Sequence, residues 1–399
     1  MSTTAPDGGA GRSPARRLPL LEDLPDVDGR AVLVRADFNV PLAEDDDGER
    51  VVADDFRIRT ALPTLRWLGE HGAAVTVCSH LGRPHGCPDE RWTMEPVRRR
   101  LEELSPGVAL GDNLRFHPGE KTNDPAFVDE LVAGFDAYVN EAFGVSHRAH
   151  ASVVGPPRRL PSAAGRRLAE EVAVLGRLLD SPTRPFVAVV GGAKVADKIG
   201  VLEALARQVD VLAVGGAMAF TFLAALGHEV GCSIVEVTYL EQCRQLLRSG
   251  VNLLLPTDVV ALEPGGTFGP EANGPRGDTK VLGQDLPDGW QGLDIGPETG
   301  EVFAEVITTA GTVLWNGPLG VVEDERFAAG TRRVADAVAG AQGFTVVGGG
   351  DSARALEQLG LTERIDFLST GGGASLEFVE HGDLPGLAAL RSAPNAPRC

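Results

Sequence analysis

The chain lacks a hydrophobic run long enough to cross a membrane. No apolar stretch in its 399 residues approaches the roughly 18 residues that a transmembrane helix needs. The first residues, "MSTTAPDGGAGRSPARRLP", contain no apolar segment of the kind that secretory signals carry. We therefore expect residues 1–19 to form a disordered tail, with a targeting segment as the less favoured alternative, and we expect no membrane association.

Cysteine is scarce, and its spacing forms no pattern. The five cysteines lie at positions 78, 87, 232, 243 and 399, without a CxxC pair and without the spacing of a metal site. An odd number of cysteines argues against a complete disulfide framework and fits a reducing compartment. The sequence therefore predicts a cytoplasmic protein.

Positive charge is also in short supply. The formal net charge is −19, which disfavours nucleic acids and anionic membranes as partners over long range. An anionic substrate would have to be held by a local cluster of cations. Only four of the 37 basic residues are lysines, yet two of these, Lys194 and Lys198, follow one Gly-Gly turn in "VVGGAKVADKIG".

Short β-branched runs alternate with amphipathic stretches along the whole chain. We read the following runs as buried strands: "RAVLVRADF", "AAVTVCSH", "FDAYVNEAF", "RPFVAVVGG", "VDVLAVGG", "VNLLLPTDVVAL", "GTVLWNG", "GFTVVGGG" and "IDFLSTGGG". Helices are expected at "DDFRIRTALPTLRWLGEHG", "RFAAGTRRVADAVAGA" and "DSARALEQLG". Alternating strands and helices predict an α/β fold with parallel sheets, which bind ligands at the carboxyl ends of their strands.

The chain length and the rhythm of the pattern suggest two such domains. One long helix is expected at "RRLAEEVAVLGRLLD", ended by Pro182 and Pro185. We place a first domain at 20–178 and a second at 185–379. The acidic turn "DDDGE" at 45–49 is expected to be solvated.

Four predicted strands of the second half end in glycine turns that open a helix: "AVVGGAKVADKI", "AVGGAMAFTFL", "TVVGGGDSARAL" and "LSTGGGASLEFV". Glycine lets the backbone approach a ligand, and the N-terminus of a helix attracts anions. One such turn alone is more simply a structural junction, but four in one domain favour a site for a nucleotide or polyphosphate. None matches GxGxxG or GxxxxGK[ST].

The two lysines gain a role in this setting. We expect Lys194 in the first turn of a helix, where a cation is unfavourable unless an anion faces it, with Lys198 on the same helical face. The alternative is a pair of surface lysines balanced by Asp197 or Glu203. Asp351, after "VVGGG", either caps its helix or binds Mg²⁺ beside a phosphate.

The first half carries arginines and polar residues at predicted strand ends. They are Arg35, Asp37 and Asn39 in "VRADFNVP", Arg57 in "FRIR", His80 and Arg83 in "SHLGRP", Arg115 in "NLRFHPGE", and His147, Arg148 and His150 in "HRAHAS". Guanidinium groups match carboxylates and phosphates in bidentate geometry. Each arginine alone is more simply a solvated surface residue; together they could form the missing positive patch.

No motif for a catalytic base is visible. The sequence contains no Ser-His-Asp elbow, no HRD-like loop and no convincing carboxylate pair. A kinase acting on an alcohol usually positions a base for the hydroxyl proton. Transfer between a carboxylate and a phosphate, through an acyl phosphate, needs none and would rest on positioning and on cations.

These motifs resemble the phosphoglycerate kinase family. "VLVRADFNVPL", "SHLGRP", "NLRFHPGE", "HRAHAS", "GGAKVADKIGVLEAL", "LWNGPLGVVE", "VVGGGDSA" and "STGGGASLE" occur in the family's order. The resemblance implies reversible phosphoryl transfer between 1,3-bisphosphoglycerate and ADP, giving 3-phosphoglycerate and MgATP in glycolysis. It also implies two Rossmann-like domains joined by a hinge helix, with residues 380–399 returning to the first domain, and a monomer.

The resemblance also implies a role for each matching residue. Arg35, Asp37, Asn39, Arg57, His80, Arg83, Arg115 and Arg148 would hold 3-phosphoglycerate. Arg57, Lys194, Gly350 and Gly373 would serve the transfer itself. The nucleotide would meet Lys194, Lys198, Gly215, Gly216, Asn316, Glu323, Gly349, Gly350, Asp351, Ser352 and Thr370, and Asp351 would bind Mg²⁺.

Two other functions stay open at this stage. A divergent, non-catalytic nucleotide-binding paralogue is one; the intact arginine set and both lysines argue against it. A dinucleotide-dependent dehydrogenase is the other, disfavoured because no early GxGxxG is present. The sequence departs from the family's usual pattern at "GDNLRF", at "NEAFGVSHRAH", where Val145 replaces a hydroxyl residue near Arg148, and at the basic stretch "GPPRRLPSAAGRR". None of these departures removes an assigned residue.

Overall fold

The structure is a computed structural model that describes residues 17–269 and 273–397. The chain divides into two compact units, Met1–Glu170 with Leu384–Cys399, and Glu171–Asp383. Of the predicted tail, residues 1–16 lie outside the described ranges, whereas Arg17 bonds to Asp23 at 2.6 Å and Pro19 accepts a hydrogen bond from the Ala164 amide. Within the described ranges, no helix has both the length and the apolar composition needed to span a membrane.

The first unit is built on a five-stranded parallel sheet. Its elements are β1 Ala31–Arg35, β2 Leu42–Glu44, β3 Arg50–Val52, α1 Phe56–Glu70, β4 Ala74–Ser79, α2 Glu95–Leu104, β5 Ala109–Asn113, α3 Gly119–Thr122, α4 Pro125–Val132, β6 Ala137–Asn140, α5 Ala151–Val154, β7 Ser162–Ala164 and the start of α6, Arg166–Asp180. The strand order is β5-β4-β1-β6-β7, and β2 and β3 form a hairpin whose turn is the exposed stretch "DDDGE" at 45–49.

Alternation along β1 explains how the sheet is covered. Val32 and Val34 point to one face, where they pack with Ile58 and Leu65 of α1. Leu33, between them, faces the other side and is buried as well, so the strand is covered on both faces, as is usual in parallel sheets. The sheet therefore carries a continuous core on the side of α1 and α2, and the strand ends are left for polar chemistry.

The second unit contains a six-stranded parallel sheet and a smaller antiparallel one. Its further elements are β8 Phe186–Val190, α7 Ile199–Ala206, β9 Val211–Val214, α8 Ala219–Leu226, α9 Leu240–Leu247, β10 Asn252–Leu254, β11 Asp258–Leu262, β12 Thr279–Gly283, β13 Gln291–Ile295, α10 Pro297–Thr308, β14 Thr312–Asn316, α11 Ala329–Gly340, β15 Phe344–Gly348, α12 Gly350–Gln358, β16 Phe367–Leu368 and α13 Gly373–His381. The parallel order is β10-β9-β8-β14-β15-β16, and β12-β11-β13 pair antiparallel. The core beside the parallel sheet contains Val189, Trp315 and Val347 from its strands, packed with Phe303 of α10.

The last helix, α14 (Pro385–Arg391), belongs to the first unit again. Leu387 and Leu390 are completely buried, and the Gly386 amide donates to the Ser146 carbonyl at 2.8 Å. Beyond the helix, Asn395 accepts from the Ser162 amide at 2.7 Å. The first unit therefore consists of two separate pieces of the chain.

The predicted α/β class with two parallel-sheet units is confirmed. The long helix expected at "RRLAEEVAVLGRLLD" is α6, which crosses the division between the units at residues 170 and 171. Its first turn is bound by the first unit: Glu141 accepts hydrogen bonds from the Arg167 and Leu168 amides. Glu171, one turn later, accepts from Thr370 of the second unit.

Two expectations about the strands were wrong. "VNLLLPTDVVAL" is not one strand, because Pro256 cannot donate to a ladder and separates β10 from β11. β11 belongs to the antiparallel sheet, where it pairs with β12 and β13. The alternation of strands and helices in the sequence had suggested parallel sheets alone.

Candidate active site

The polar residues of the first unit leave its sheet at one edge. Arg35, the last residue of β1, pairs with Cys78 of β4 and Asn140 of β6. The segments that follow these strands and β5 therefore begin side by side at the carboxyl edge. They carry Asp37 and Asn39 after β1, His80 and Arg83 after β4, Arg115 after β5, and Arg148 after β6.

Asp37 is the carboxylate at the centre of this cluster. Its Oδ2 forms an ion pair with a terminal guanidinium nitrogen of Arg57, in the first turn of α1. Its Oδ1 lies 3.9 Å from His80 Nδ1. Burial would raise the pKa of Asp37, but the charges of Arg57 and Arg35 and the hydrogen bond from the Asn39 amide outweigh it, so its pKa is lowered. Asp37 therefore stays ionised and fixes Arg57.

Arg35 lies beneath the same edge, only 1% exposed. A terminal nitrogen donates to His80 Nδ1 at 3.2 Å, the other donates to the Ala36 carbonyl, and Nε donates to Ser152 Oγ at 2.9 Å. Burial lowers the pKa of His80 well below its usual value, and Arg35 and Arg115 add to the effect against the opposing charge of Asp37. His80 is therefore neutral and accepts through Nδ1.

The other predicted residues of this cluster lie in or beside the loop that follows β4. Asn39 Oδ1 accepts from the Gly82 amide at 2.8 Å, and a terminal nitrogen of Arg115 donates to the Gly82 carbonyl. Arg83 and Arg148 are exposed. Burial, followed by repulsion from Arg148 and Arg35, lowers the pKa of Arg115 to about 10. Guanidinium groups that repel one another form a site that a multiply charged anion would stabilise.

The glycine turns of the second unit likewise lie at one edge. Val190 of β8 pairs with Asn316 of β14, which in turn pairs with Gly348 of β15. The turns after these strands are therefore neighbours. Gly192 (φ +130°) and Gly349 (φ +97°) adopt backbone conformations that side-chain-bearing residues rarely reach.

The expected position of the two lysines was wrong. The helix after β8 begins at Ile199, so Lys194 lies in the preceding loop, and Lys198 is the N-cap residue with non-helical φ −134°. The Lys198 carbonyl accepts the first hydrogen bond of the helix, from the Leu202 amide at 2.9 Å. The two lysines therefore do not share a helical face.

Lys194 and Lys198 occupy different environments. Lys194 is exposed, and among the described residues no hydrogen bond or ion pair engages it. Lys198 Nζ donates to the Gly191 carbonyl at 2.6 Å and to Asn316 Oδ1 at 2.8 Å. Burial lowers the pKa of Lys198 to about 8, partly offset by Asp351 and Asp197. In the described part of the chain, neither lysine forms an ion pair with Asp197 or Glu203.

The N-terminus of α12 follows β15 directly. Gly349 is the N-cap, and no described side chain caps the helix, so Asp351 does not act as a cap. Gly350 and Asp351 form the first turn, and the Asp351 side chain is 59% exposed, 3.8 Å from Arg354. Ser352 is buried, and its Oγ accepts from the Gly317 amide at 2.7 Å. The free N–H groups of this helix start can receive an anion.

The turn before α13 is held by a buried carboxylate that the sequence pattern did not reveal. Glu171 Oε1 accepts from the amide and hydroxyl of Thr370 at 2.7 and 2.8 Å, and Oε2 accepts from Ser369 Oγ at 2.7 Å. Gly373 begins α13. Within α6, nothing in the sequence distinguishes Glu171 from the exposed Glu170 beside it.

Three predicted nucleotide contacts lie further along this unit. Gly215 follows β9, and a Cβ there would lie 2.6 Å from Leu319 Cδ2. The Gly216 amide donates to the Leu319 carbonyl at 3.1 Å. Glu323 is exposed after β14, next to the buried Asp324.

The described ranges contain no group of three or more histidine, cysteine, aspartate or glutamate residues arranged to hold a metal ion. Asp351 offers a single exposed carboxylate at the start of α12. One carboxylate completed by phosphate oxygens and water is the usual environment of Mg²⁺. The cysteines at 78, 87, 232 and 243 are free thiols.

Comparison with known proteins gives one consistent answer. The sequence model of the family described as phosphoglycerate kinase matches residues 21–110 and 104–382. A phosphoglycerate kinase of Rubrobacter xylanophilus is 51% identical over 386 residues, covering 91% of this chain and 95% of the relative. That of Salinispora arenicola is 50% identical over 404 residues, covering 93% and 99%.

Comparison with solved structures finds the same family. The chain is similar to phosphoglycerate kinase from Coxiella burnetii, with a TM-score of 0.80 at 35% identity, covering 94% of this chain and 99% of the other. It is equally similar in structure to the enzyme from Pyrococcus horikoshii, with a TM-score of 0.80 at 30% identity and the same coverage.

Proposed function

Because the chain belongs to the phosphoglycerate kinase family, we propose that it transfers a phosphoryl group reversibly between 1,3-bisphosphoglycerate and ADP, giving 3-phosphoglycerate and ATP in glycolysis. The observation that carries this proposal is the match of about half of all residues over nearly the full length of phosphoglycerate kinases. The two polar strand edges supply the chemistry that such a reaction needs.

The first unit would hold the phosphoglycerate. Its edge presents Arg83, Arg115 and Arg148 around an ionised Asp37 that fixes Arg57. A phosphate and a carboxylate on one small molecule would relieve the repulsion among these guanidiniums. In a protein of net charge −19, this cluster provides the local positive potential that draws in an anionic substrate.

The second unit would hold the nucleotide. Lys198 is fixed between the turns after β8 and β14, and the start of α12 presents uncapped N–H groups. These groups suit the phosphate chain of ADP or ATP. Gly215, Gly216 and Glu323 are proposed to contact the adenosine portion.

The transfer would proceed without a catalytic base. The attacking oxygen is a carboxylate in one direction and a phosphate in the other, so no proton has to be removed. Lys194 has no partner among the described residues and a flexible stem, so it can follow the moving phosphoryl group. Arg57 would add a fixed charge, and the Gly350 and Gly373 backbones would add dipoles.

Asp351 is proposed to bind Mg²⁺ together with the nucleotide phosphates. Its exposed carboxylate stands in the first turn of α12, close enough to Lys198 to influence the pKa of that lysine. The ion would neutralise phosphate charge when bound. We further propose a cytoplasmic monomer whose partners are these small molecules, consistent with its four free thiols among the described cysteines.

A coupled assay tests the function. Purified protein is given 3-phosphoglycerate and MgATP, and formation of 1,3-bisphosphoglycerate is followed through reduction by a dehydrogenase that consumes NADH. We expect a kcat of at least about 1–100 s⁻¹, the range typical of kinases. Nucleotide binding without turnover would instead identify the non-catalytic paralogue.

A further inference from the structure

We propose that Glu120 and Ser152 form a chain of positioning residues that fixes the guanidinium of Arg35. The inference rests on the proposed function, in which Arg35 serves the phosphoglycerate site. Glu120, on α3, and Ser152, on α5, lie further along the segments that follow β5 and β6, and neither is among the predicted site residues. The hydrogen bonds run from Arg35 at the end of β1 to Ser152 on α5 and then to Glu120 on α3.

The direction of each hydrogen bond is fixed by chemistry. Arg35 Nε can only donate, and it donates to Ser152 Oγ at 2.9 Å. An ionised carboxylate can only accept, and Glu120 Oε1 accepts the Ser152 hydroxyl proton at 2.7 Å. Glu120 Oε2 accepts from the Ser152 amide at 2.9 Å. The serine hydroxyl therefore has a single orientation, linking cation to anion.

Burial makes the chain necessary. Arg35 and Glu120 are each 1% exposed, and Ser152 is completely buried. A buried charge is tolerated only when it is paired and hydrogen-bonded. Asp37 is engaged by Arg57, and the other partners of Arg35 are a carbonyl and a neutral imidazole. Glu120 is thus the carboxylate to which Arg35 is linked by hydrogen bonds, through one hydroxyl.

Charged and titratable groups around Glu120 support the ionised form. His150 Nδ1 lies 3.6 Å from Glu120 Oε1. Burial would raise the pKa of Glu120, but the nearby His150, the charge of Arg35 and the hydrogen bonds from Ser152 lower it overall. The Tyr138 hydroxyl donates to the Ser152 carbonyl at 2.7 Å and holds α5 in place. The chain is therefore rigid on both sides of Ser152.

This arrangement sets how Arg35 meets an anion. A guanidinium has five N–H groups, and three of them are committed to Ser152, Ala36 and His80. The remaining two belong to the terminal nitrogens. Because Ser152 holds Nε, the guanidinium cannot rotate about its last side-chain bonds. Its two remaining N–H groups therefore keep one orientation at the strand edge. Loss of the Nε bond would leave the charge in place, but the guanidinium would then be held only through its terminal nitrogens.

The test compares two buried serines. Ser152→Ala removes the link, whereas Ser162→Ala removes a hydroxyl that donates to the Leu160 carbonyl in the same unit. We expect Ser152→Ala to lower kcat/KM for 3-phosphoglycerate by about ten- to a hundredfold, the effect of removing a hydrogen bond to a charged group, with KM for MgATP unchanged. Ser162→Ala should behave as wild type. Ser152→Thr, which keeps the hydroxyl, should restore much of the activity.

Glu120→Gln and a spectroscopic signal complete the design. Glu120→Gln should cause a similar loss, and the double variant Glu120→Gln/Ser152→Ala should be no worse than Ser152→Ala, since both act through one chain. The Arg35 Nε–H resonance, assigned by its loss in Arg35→Lys, should be protected from exchange in wild type and Ser162→Ala but not in Ser152→Ala. This signal needs no turnover, so an inactive wild type would refute the function and leave the anchor testable. Full activity in Ser152→Ala, or an unchanged resonance, overturns the proposal.

Discussion

At the scale of single residues, the two lysines after β8 differ more than their spacing suggests. Lys198 is fixed by a backbone carbonyl and an asparagine oxygen, whereas Lys194 projects from a loop without a partner among the described residues. A fixed cation can hold a phosphate that stays with the nucleotide. A free one can accompany a phosphate that moves.

Replacing Lys194 by alanine should reduce kcat by at least about a thousandfold, as expected for loss of a cation that stabilises a phosphoryl-transfer transition state. The melting temperature should stay unchanged, since this exposed side chain has no described contact to lose. The coupled assay and a thermal melt measure both. Lys280→Ala, on the exposed strand β12, is the matched control. Turnover near that of wild type would refute the role of Lys194.

The pKa of Lys198 predicts a pH effect on nucleotide binding. With a pKa of about 8, the free enzyme carries this charge almost fully at neutral pH and only about a tenth of it at pH 9. We expect KM for MgATP to rise between pH 7 and 9, by up to about tenfold. Lys198→Gln should show a high KM without this rise, whereas Lys280→Gln should keep the wild-type profile. An equal rise in Lys198→Gln would contradict the assignment.

At the scale of elements, α6 begins on a buried polar cap. The Arg166 amide donates to Thr64 Oγ1 at 2.7 Å, and the Thr64 hydroxyl donates to Glu141 Oε1 at 2.8 Å. Glu141 also receives the next two amides of the helix. Three of the four N–H groups that a helix start leaves open are satisfied in this way, so the helix has a defined beginning in the first unit.

Thr64→Val should destabilise this cap strongly. Valine matches the shape of threonine but leaves the Arg166 amide and one acceptor position of Glu141 without a partner in a fully buried site, which costs about 1–3 kcal/mol. We expect a clear drop in the melting temperature, measured by circular dichroism. Thr308→Val, at an exposed position of α10, serves as control. Equal stability of the two variants would mean that the cap does not hold the helix.

The elements also show how far the sequence could predict this protein. β1, β8 and β14 combine β-branched runs with glycine or polar ends, and their positions follow directly from the pattern. β5, "ALGDN", carries no such signal. It is a strand because it pairs with β4, and its own β-propensity is weak. The start of α7 could not be placed either, because the helix and the loop before it use the same small and charged residues.

The same division applies to the site. Arg57, Asp37 and the glycine turns could be named from motifs, because the chemistry of phosphate binding restricts residue type and spacing. Glu120 and Ser152 lie inside the motifs "NLRFHPGE" and "HRAHAS" but could not be given a role, and Glu171 lies in no motif, since each acts through a contact between residues distant in the chain. Such contacts leave no local pattern.

At the scale of the whole molecule, the first unit is completed by the last residues of the chain. Leu387 of α14 is completely buried in that unit. Leu387→Ala should cost about 2–5 kcal/mol of unfolding free energy, as for other buried leucines. Hydrogen exchange should show the loss in the first unit, with amides of β8 and β14 unaffected. Leu226→Ala, at a 52% exposed position of α8, is the control, and uniform loss across both units would count against this assignment.

The discontinuous first unit has a consequence for biosynthesis. Residues 171–383 form one uninterrupted segment and can fold once it has emerged from the ribosome. The first unit, although most of it is made earlier, lacks α14 and the Asn395 contacts until those residues have been translated. We therefore expect the half translated first to be the last to mature, and to be exposed to chaperones and proteases for the whole of the intervening time.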